Sequence, residues 1–220
     1  MKKNLTEMVF ILDRSGSMSG LEADTIGGFN SMIEQQKAED GEAYVTTVLF
    51  DGVYELLHDH VDILEIEPIT RKEYYARGCT ALLDALGTTI NSVGQRLSDT
   101  PEEERPGKVM FVIITDGYEN ASHEFTKSKI KEMIEHQQNK YSWVFMFIGA
   151  NMDAVTEAAS YGINSSFAAT YTASAQGTSS VYTALDSSIS CLRSVSLDAC
   201  DGDWKTMAAC AVETAFEGIE

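Results

Sequence analysis

The chain has 220 residues, of which 44% are hydrophobic and 23% are charged, and its formal net charge at pH 7 is −18. A chain of this length suits one sizeable domain and makes a second full domain unexpected. So acidic a chain repels phosphate backbones, which argues against a nucleic-acid partner. No segment approaches the roughly 18 consecutive apolar residues of a membrane span, so we expect no membrane contact.

The first half of the chain alternates segments typical of strands and of helices. Met8–Leu12 is an apolar run that indicates a buried strand, and DTIGGFNSMIEQQKAED follows with apolar residues at helical spacing. AYVTTVLFDG is rich in β-branched and aromatic residues, and VYELLHDHVDI is predicted to pair with it as an antiparallel edge strand. CTALLDALGTTINSVGQRL carries a second apolar stripe at helical spacing.

The second half of the chain continues this alternation. KVMFVIITDG is the most apolar run and predicts a central parallel strand. A helix around Ile130 leads to the buried strand WVFMFIGAN, and a short helix near DAVTEAASYG precedes a weak strand, SSFAAT. The alternation predicts an α/β protein whose mostly parallel sheet has one antiparallel edge strand and helices on both faces.

The end of the chain is predicted to form a surface helix and a separate tail. The segment after Thr170 is rich in Ser, Thr and Ala but keeps an apolar stripe, which predicts the helix. We place the domain at residues 1–195 and the tail at residues 196–220, and the part from Asp201 either docks as a helix or frays. The stripes are Val181, Leu185, Ile189 and Leu192 in the helix, and Met207, Ala211 and Ala215 in the tail.

The cysteines and the amino terminus bear on the compartment. Cys79, Cys191, Cys200 and Cys210 show no CxxC spacing and no nearby histidine pair, so a zinc site is not predicted. Met8–Leu12 is too short for the apolar part of a signal peptide, and no small-residue cleavage site follows it. We therefore expect free thiols and a cytoplasmic protein.

Short oxygen-bearing side chains stand at three junctions between predicted strands and helices. Asp13 ends the first strand and is followed at alternate positions by Ser15 and Ser17. Thr80 stands just ahead of a helix, and Asp116 ends the central strand. Because the carboxyl ends of parallel strands line one edge of an open sheet, where ligands bind, we expect these side chains to converge there.

This set of residues has the chemistry of a site for a hard cation. It contains two carboxylates and three hydroxyls, without histidine or cysteine. Mg²⁺ takes oxygen ligands in octahedral geometry and keeps some waters, Mn²⁺ accepts similar ligands, and Ca²⁺ is a further alternative. The alternation of Asp13, Ser15 and Ser17 aims successive side chains toward one point, while Gly16 permits a tight turn.

The motif Asp13-x-Ser15-x-Ser17, followed by Thr80 and then by Asp116-Gly117, resembles the metal-ion-dependent adhesion site (MIDAS) of von Willebrand factor A domains. The order of segments from about residue 5 to residue 195 is similar to that family, and GCTALLDAL is similar to its bacterial stand-alone members. The resemblance implies a doubly wound sheet and a divalent metal, usually Mg²⁺. It also implies a non-catalytic role in which a partner's carboxylate completes the coordination of the metal.

Residue by residue, the resemblance makes Ser15, Ser17 and Thr80 hydroxyl ligands, while Asp13 and Asp116 bind directly or through water. Many relatives carry a second glycine where this chain has Cys79, which leaves the ligand set unchanged.

Plainer interpretations exist for each of these residues taken alone. The Asp-x-Ser-x-Ser stretch is also typical of a turn that caps the next helix, and Asp116-Gly117 is also typical of an ordinary turn. Thr80 is also typical of a helix N-cap, and one threonine can serve as a cap and a ligand at once. Cys79 is interpreted as an inert small residue rather than a redox switch. His58 and His60 alternate along one predicted strand and are interpreted as parts of a polar, solvent-facing edge.

The resulting functional hypothesis is an intracellular, metal-dependent module that binds a protein partner through an Asp or Glu carboxylate of that partner. The alternative is a Mg²⁺-dependent aspartyl phosphohydrolase with Asp13 as its nucleophile, a class that resembles this chain in fold. Such enzymes need an acid two residues after the nucleophile, where this chain has Ser15. A metal-stabilised structural subunit is a third alternative.

Overall fold

The computed structural model describes residues 1–197 and 204–219. The strands are β1 (Lys2–Asp13), β2 (Glu42–Phe50), β3 (Tyr54–Asp62), β4 (Pro106–Thr115), β5 (Val144–Ala150) and β6 (Ala168–Tyr171). The helices are α1 (Glu22–Lys37), α2 (Leu82–Asp99), α3 (Lys127–Tyr141), α4 (Ala154–Ser160), α5 (Ala175–Ser194) and α6 (Trp204–Phe216). Among the helices of the described part of the chain, none has both the length and the apolarity that crossing a membrane requires.

The strands form one sheet in the order β3-β2-β1-β4-β5-β6. The chain builds outward from β1 to one edge, returns to the centre at β4, and then builds to the other edge. All neighbouring pairs are parallel except β2 and β3, which pair as an antiparallel hairpin. The predicted α/β class is therefore confirmed, including the single antiparallel edge strand and the central position of β4.

Helices cover both faces of the sheet, so the central strands are buried on both sides. Along β1, Phe10 and Leu12 pack in the core cluster on the side of α1, α5 and α6, whereas Val9 and Ile11 pack in the other cluster, with α2, α3 and α4. The sequences of strands that are buried on both faces are continuous apolar runs. This is why the apolar segments predicted them well.

Several element boundaries differ from the prediction. β1 begins at Lys2 rather than at Met8, because its polar first residues extend along β4, and Lys2 N donates to Arg105 O at 2.8 Å. The segment predicted as the strand SSFAAT begins with a 3₁₀ turn, Ser165–Phe167, and only then enters β6. The predicted final helix is α5, which packs between α1 and α6.

The carboxy-terminal segment contains α6, but the predicted apolar stripe is wrong. Trp204, Ala208 and Val212 are the buried residues of α6 and join the core beside α5, whereas Met207 is exposed. Because alanines occur on several sides of this helix, the hydrophobic periodicity of its sequence does not show which face is buried. Cys200 and Asp201 lie outside the described residues, and the domain boundary at residue 195 stays a prediction.

The two histidines of β3 lie on the predicted edge strand, but each is only partly exposed to solvent. His60 Nδ1 lies 2.6 Å from Oε2 of Glu7, a fully buried carboxylate of β1 that also accepts from Arg96 Nη2 at 2.7 Å. His58 is half-buried, and burial lowers its pKa from the ordinary value of 6.5. The reason is that the side chain of Arg96 reaches from α2 over this part of the sheet, which alternation along β3 alone does not reveal.

Candidate metal centre

The first part of the candidate site is the turn that follows β1. Asp13 is the last residue of β1, is almost fully buried, and accepts a hydrogen bond of 2.6 Å from Ser15 N at Oδ1. A 3₁₀ turn, Gly16–Met18, then reverses the chain, and Gly16 N donates to Gly78 O at 3.2 Å. This turn leaves Ser17 exposed at the rim of the sheet.

The end of β4 supplies the second part of the site. Ser17 Oγ donates to Asp116 Oδ1 at 2.6 Å, and the hydroxyls of Ser15 and Ser17 lie 3.0 Å apart. Thr115 Oγ1 donates to Asp13 Oδ2 at 2.6 Å. The parallel pairing of β1 and β4 thus brings together two carboxylates that are far apart in the sequence.

The loop before α2 supplies the third part. A Cβ built on Gly117 would lie 3.3 Å from Thr80 Oγ1 and 3.5 Å from Ser17 Oγ, so these two hydroxyls flank the same glycine. Thr80 is fixed by Asn120, whose Oδ1 accepts from Thr80 N at 3.0 Å and whose N donates to Thr80 O at 3.0 Å. The structure therefore brings all the predicted site residues together.

The interpretation of Thr80 as a helix cap is wrong. The N-cap position of α2 is Ala81, which makes no side-chain cap hydrogen bond. The carboxylate of Glu119 takes over this task, because its Oε2 accepts from Leu83 N at 2.9 Å. The hydroxyl of Thr80 is therefore not committed to capping the helix.

The electrostatics of the site favour a bound cation. Burial raises the pKa of Asp13 to about 6, against hydrogen bonds from Thr115 and Ser15 that lower it, and the nearby charge of Asp116 raises it further. Burial also raises the pKa of Asp116, against the hydrogen bond from Ser17. The guanidinium of Arg14 does not compensate these carboxylates, since it turns away to Asp51 and Glu55.

The donor set fits a hard divalent ion. Two carboxylates and three hydroxyls converge without an imidazole or a thiolate among them, and in the described residues no three His, Cys, Asp or Glu side chains form a cluster. Mg²⁺ prefers such oxygen ligands and keeps waters in its remaining positions. A divalent ion would also supply the positive charge that the two desolvated carboxylates lack.

Several residues that support the site were not predicted. Thr115 positions the carboxylate of Asp13, Tyr74 donates its hydroxyl to Asp13 O at 2.5 Å, and Asn120 holds Thr80. In the sequence, Thr115 is the last residue of an apolar strand, and its neighbours in the sequence do not indicate that it contacts β1. The sequence weakly indicated that Asn120 belongs to the site, because Asn120 is a polar residue in the loop that directly follows Asp116.

Comparisons with known proteins support the fold. No protein-family model matches the sequence, and no curated protein matches it either. Proximal thread matrix protein 1 from the mussel byssus superposes with a TM-score of 0.57 at 15% identity, over 83% of this chain and 45% of that one. A structure of the same mussel protein with a zinc-occupied MIDAS motif gives 0.53 at 16% identity, over 94% and 46%.

A von Willebrand factor type A protein from Catenulispora acidiphila superposes with a TM-score of 0.55 at 12% identity, over 82% of this chain and 41% of that one. This chain thus spans less than half the length of each of these proteins. The agreement concerns the architecture, since the identities are low. The chain has the fold of the von Willebrand factor A domains.

Proposed function

We propose that this protein is a metal-dependent protein-interaction module. In this proposal, Asp13, Ser15, Ser17, Thr80 and Asp116 hold Mg²⁺, and a partner's Asp or Glu carboxylate completes the coordination. The observation that carries the proposal is the convergence of Asp13 and Asp116 with three hydroxyls at one rim of the sheet. The zinc-occupied MIDAS motif of the mussel protein, which shares this fold, supports it.

The ligand set explains why a carboxylate would be captured. Three of the protein ligands are neutral hydroxyls, so a divalent ion bound here keeps an attraction for a further anionic oxygen. Asp13 is buried and Ser17 is exposed, so the open side of the site faces the surface. The net charge of −18 repels an acidic partner at long range. Screening over about 8 Å at physiological salt confines this repulsion.

We further propose that the protein is not an enzyme. An aspartyl phosphohydrolase would need a general acid two residues after Asp13, and the hydroxyl of Ser15 does not serve at neutral pH. The hydroxyl of Ser15 lies instead 3.0 Å from that of Ser17. Incubation with a generic phosphate ester and Mg²⁺ tests this, because release of phosphate that Asp13→Asn abolishes would establish the phosphohydrolase instead.

The binding proposal is tested by calorimetric titration with Mg²⁺, followed by acetate as a carboxylate probe. Ser17→Ala and Thr80→Ala should each lower the Mg²⁺ affinity about tenfold or more, since each removes one ligand. Ser19→Ala is the matched control, because Ser19 is an exposed serine just after the same turn and should bind normally. Unchanged affinity in both ligand variants would refute the site, and acetate binding without metal would refute carboxylate capture.

A further inference from the structure

The loop that carries Thr80 also presents an arginine beside the candidate metal centre. Arg77 N donates to Arg14 O at 2.8 Å, and Gly78 O accepts from Gly16 N at 3.2 Å, so this loop runs along the turn that contains the serine ligands. Arg77 precedes Thr80 by three residues. The Cα atoms of the two are therefore at most about 11 Å apart.

The guanidinium of Arg77 is held in one orientation. Its Nε donates to Asp51 Oδ2 at 2.7 Å, and its Nη1 donates to the hydroxyl of Tyr75 at 2.9 Å. The ring of Tyr75 also lies under it, with 5.1 Å between Cζ and the ring centroid. Asp51 is fixed in turn by buried Arg14, whose Nε donates to the same oxygen at 3.0 Å. A side chain ordered in advance loses little entropy when it binds a ligand.

Part of this guanidinium remains available to a ligand. The side chain of Arg77 is 42% exposed, and its Nη2 is 4.0 Å from Glu55 Oε2, beyond hydrogen-bond distance. Glu55 instead accepts from Arg14 Nη2 at 2.7 Å. Nη2 therefore has no hydrogen-bond partner among the described residues, and Nη1 has a second N–H besides the one that Tyr75 accepts. Two such neighbouring nitrogens match a carboxylate in two parallel hydrogen bonds.

We propose that Arg77 is a second anion-binding group of the same site. The partner segment would then carry two acidic residues, one at the metal ion and one at Arg77. An extended chain rises about 3.3 Å per residue, so acids two or three positions apart span about 7–10 Å. The guanidinium of Arg77 is anchored on Asp51, whose backbone O accepts from Ala81 N at 2.9 Å, directly after Thr80. This inference rests on the proposed function and adds the class of partner, an acidic peptide with closely spaced carboxylates.

The test uses the full chain, labelled with ¹⁵N and saturated with Mg²⁺, and NMR titrations with short blocked peptides. Two peptides place two aspartates one or two glycines apart, and matched peptides carry asparagine at one position. One of the two-acid peptides should bind about fivefold more tightly than its one-acid counterparts, as expected for one exposed charged pair. Arg77→Gln should remove this preference and leave the affinities for Mg²⁺ and for the one-acid peptides unchanged.

Two further variants complete the test. Arg71→Gln removes the same charge from an exposed position of the same loop and should keep the full preference. Arg77→Lys keeps the charge but not the planar fork, so it should weaken the preference even if Arg77→Gln fails to fold. Equal binding of one-acid and two-acid peptides to the wild type would overturn the inference and leave the proposed function standing. A preference that stays at full strength in the Arg77 variants would do the same. Binding of no peptide in Mg²⁺ would overturn the proposed function and the inference with it.

Discussion

Thr115 Oγ1 donates a hydrogen bond of 2.6 Å to Asp13 Oδ2 and so joins the ends of β4 and β1 directly behind the candidate metal centre. Both residues are almost fully buried. The same hydroxyl accepts from Gly117 N at 3.2 Å, next to Asp116. One threonine therefore orients a carboxylate ligand and fixes the backbone that follows the other.

Thr115→Val tests this relationship, because valine keeps the shape of threonine and removes the hydroxyl. We expect the Mg²⁺ affinity to fall about 10–100-fold, as for other residues that orient metal ligands. The free energy of unfolding without metal should fall by about 1–3 kcal/mol, since a buried carboxylate loses a donor. Calorimetry and chemical denaturation measure the two effects. Thr115→Ser keeps the hydroxyl and should bind nearly normally, and a loss as large as that of valine would contradict the assigned role.

The candidate site was predictable from the sequence because its residues follow from strand order. Asp13 and Asp116 each stand at the end of an apolar run, and neighbouring parallel strands bring such ends to one edge. Thr80 was predicted through its position ahead of α2 and the motif. In contrast, the contact of Thr115 with Asp13 depends on the register between β1 and β4, in which Leu12 lies opposite Ile114. Periodicity within one segment carries no information about that register.

The wrong predictions have the same physical origin. The polar sequence of β3 predicted a solvent-facing edge, but the histidines are only partly exposed because Arg96 crosses from α2 and meets Glu7 beneath His60. In α6, the alanines left the direction of the buried face open, and only the packing of Trp204 against the core decides it. Each error concerns a contact between elements that are distant in the sequence.

Two adjacent glycines of α1 should respond in opposite ways to alanine. A Cβ on Gly28 would lie 2.2 Å from Cδ2 of Tyr182 in α5, whereas a Cβ on Gly27 would meet nothing within 4 Å. Gly28→Ala should therefore destabilise the protein by about 1–3 kcal/mol through overpacking. Gly27→Ala should stabilise it by about 0.5–1 kcal/mol through the helix preference of alanine. Chemical denaturation compares them, and equal effects of the two substitutions would contradict the close packing of α1 on α5.

The stability of the protein should depend on His58 at mildly acidic pH. Burial lowers the pKa of His58 from 6.5, and Nδ1 has no hydrogen-bond partner among the residues that the structure describes. Because the folded state favours neutral His58, the unfolded state binds the proton more readily. The contribution of neutral His58 to the free energy of unfolding is therefore present above pH 6.5. It is lost as the pH drops from there toward the lowered pKa of the folded state.

His58→Phe isolates this effect, because phenylalanine keeps a ring and does not titrate. We expect the free energy of unfolding to fall less between pH 7.5 and pH 5.5 in the variant than in the wild type, while the other titrating groups contribute alike to both. An NMR titration measures the pKa of His58 directly. A value at or above 6.5, or equal pH dependence of the two proteins, would show that the half-buried position has no such effect.

While Glu7 carries its buried carboxylate, the stability of the protein should depend strongly on Arg96. Glu7 is fully buried and accepts from Arg96 Nη2 at 2.7 Å and from Thr46 Oγ1 at 2.9 Å. Arg96→Met would leave that carboxylate without its guanidinium and should cost about 3–5 kcal/mol, whereas Glu7→Leu combined with Arg96→Met should regain most of the loss. Chemical denaturation of the single and double variants measures both values. If Arg96→Met costs less than about 1 kcal/mol, the range of an exposed pair, Arg96 does not stabilise the buried charge.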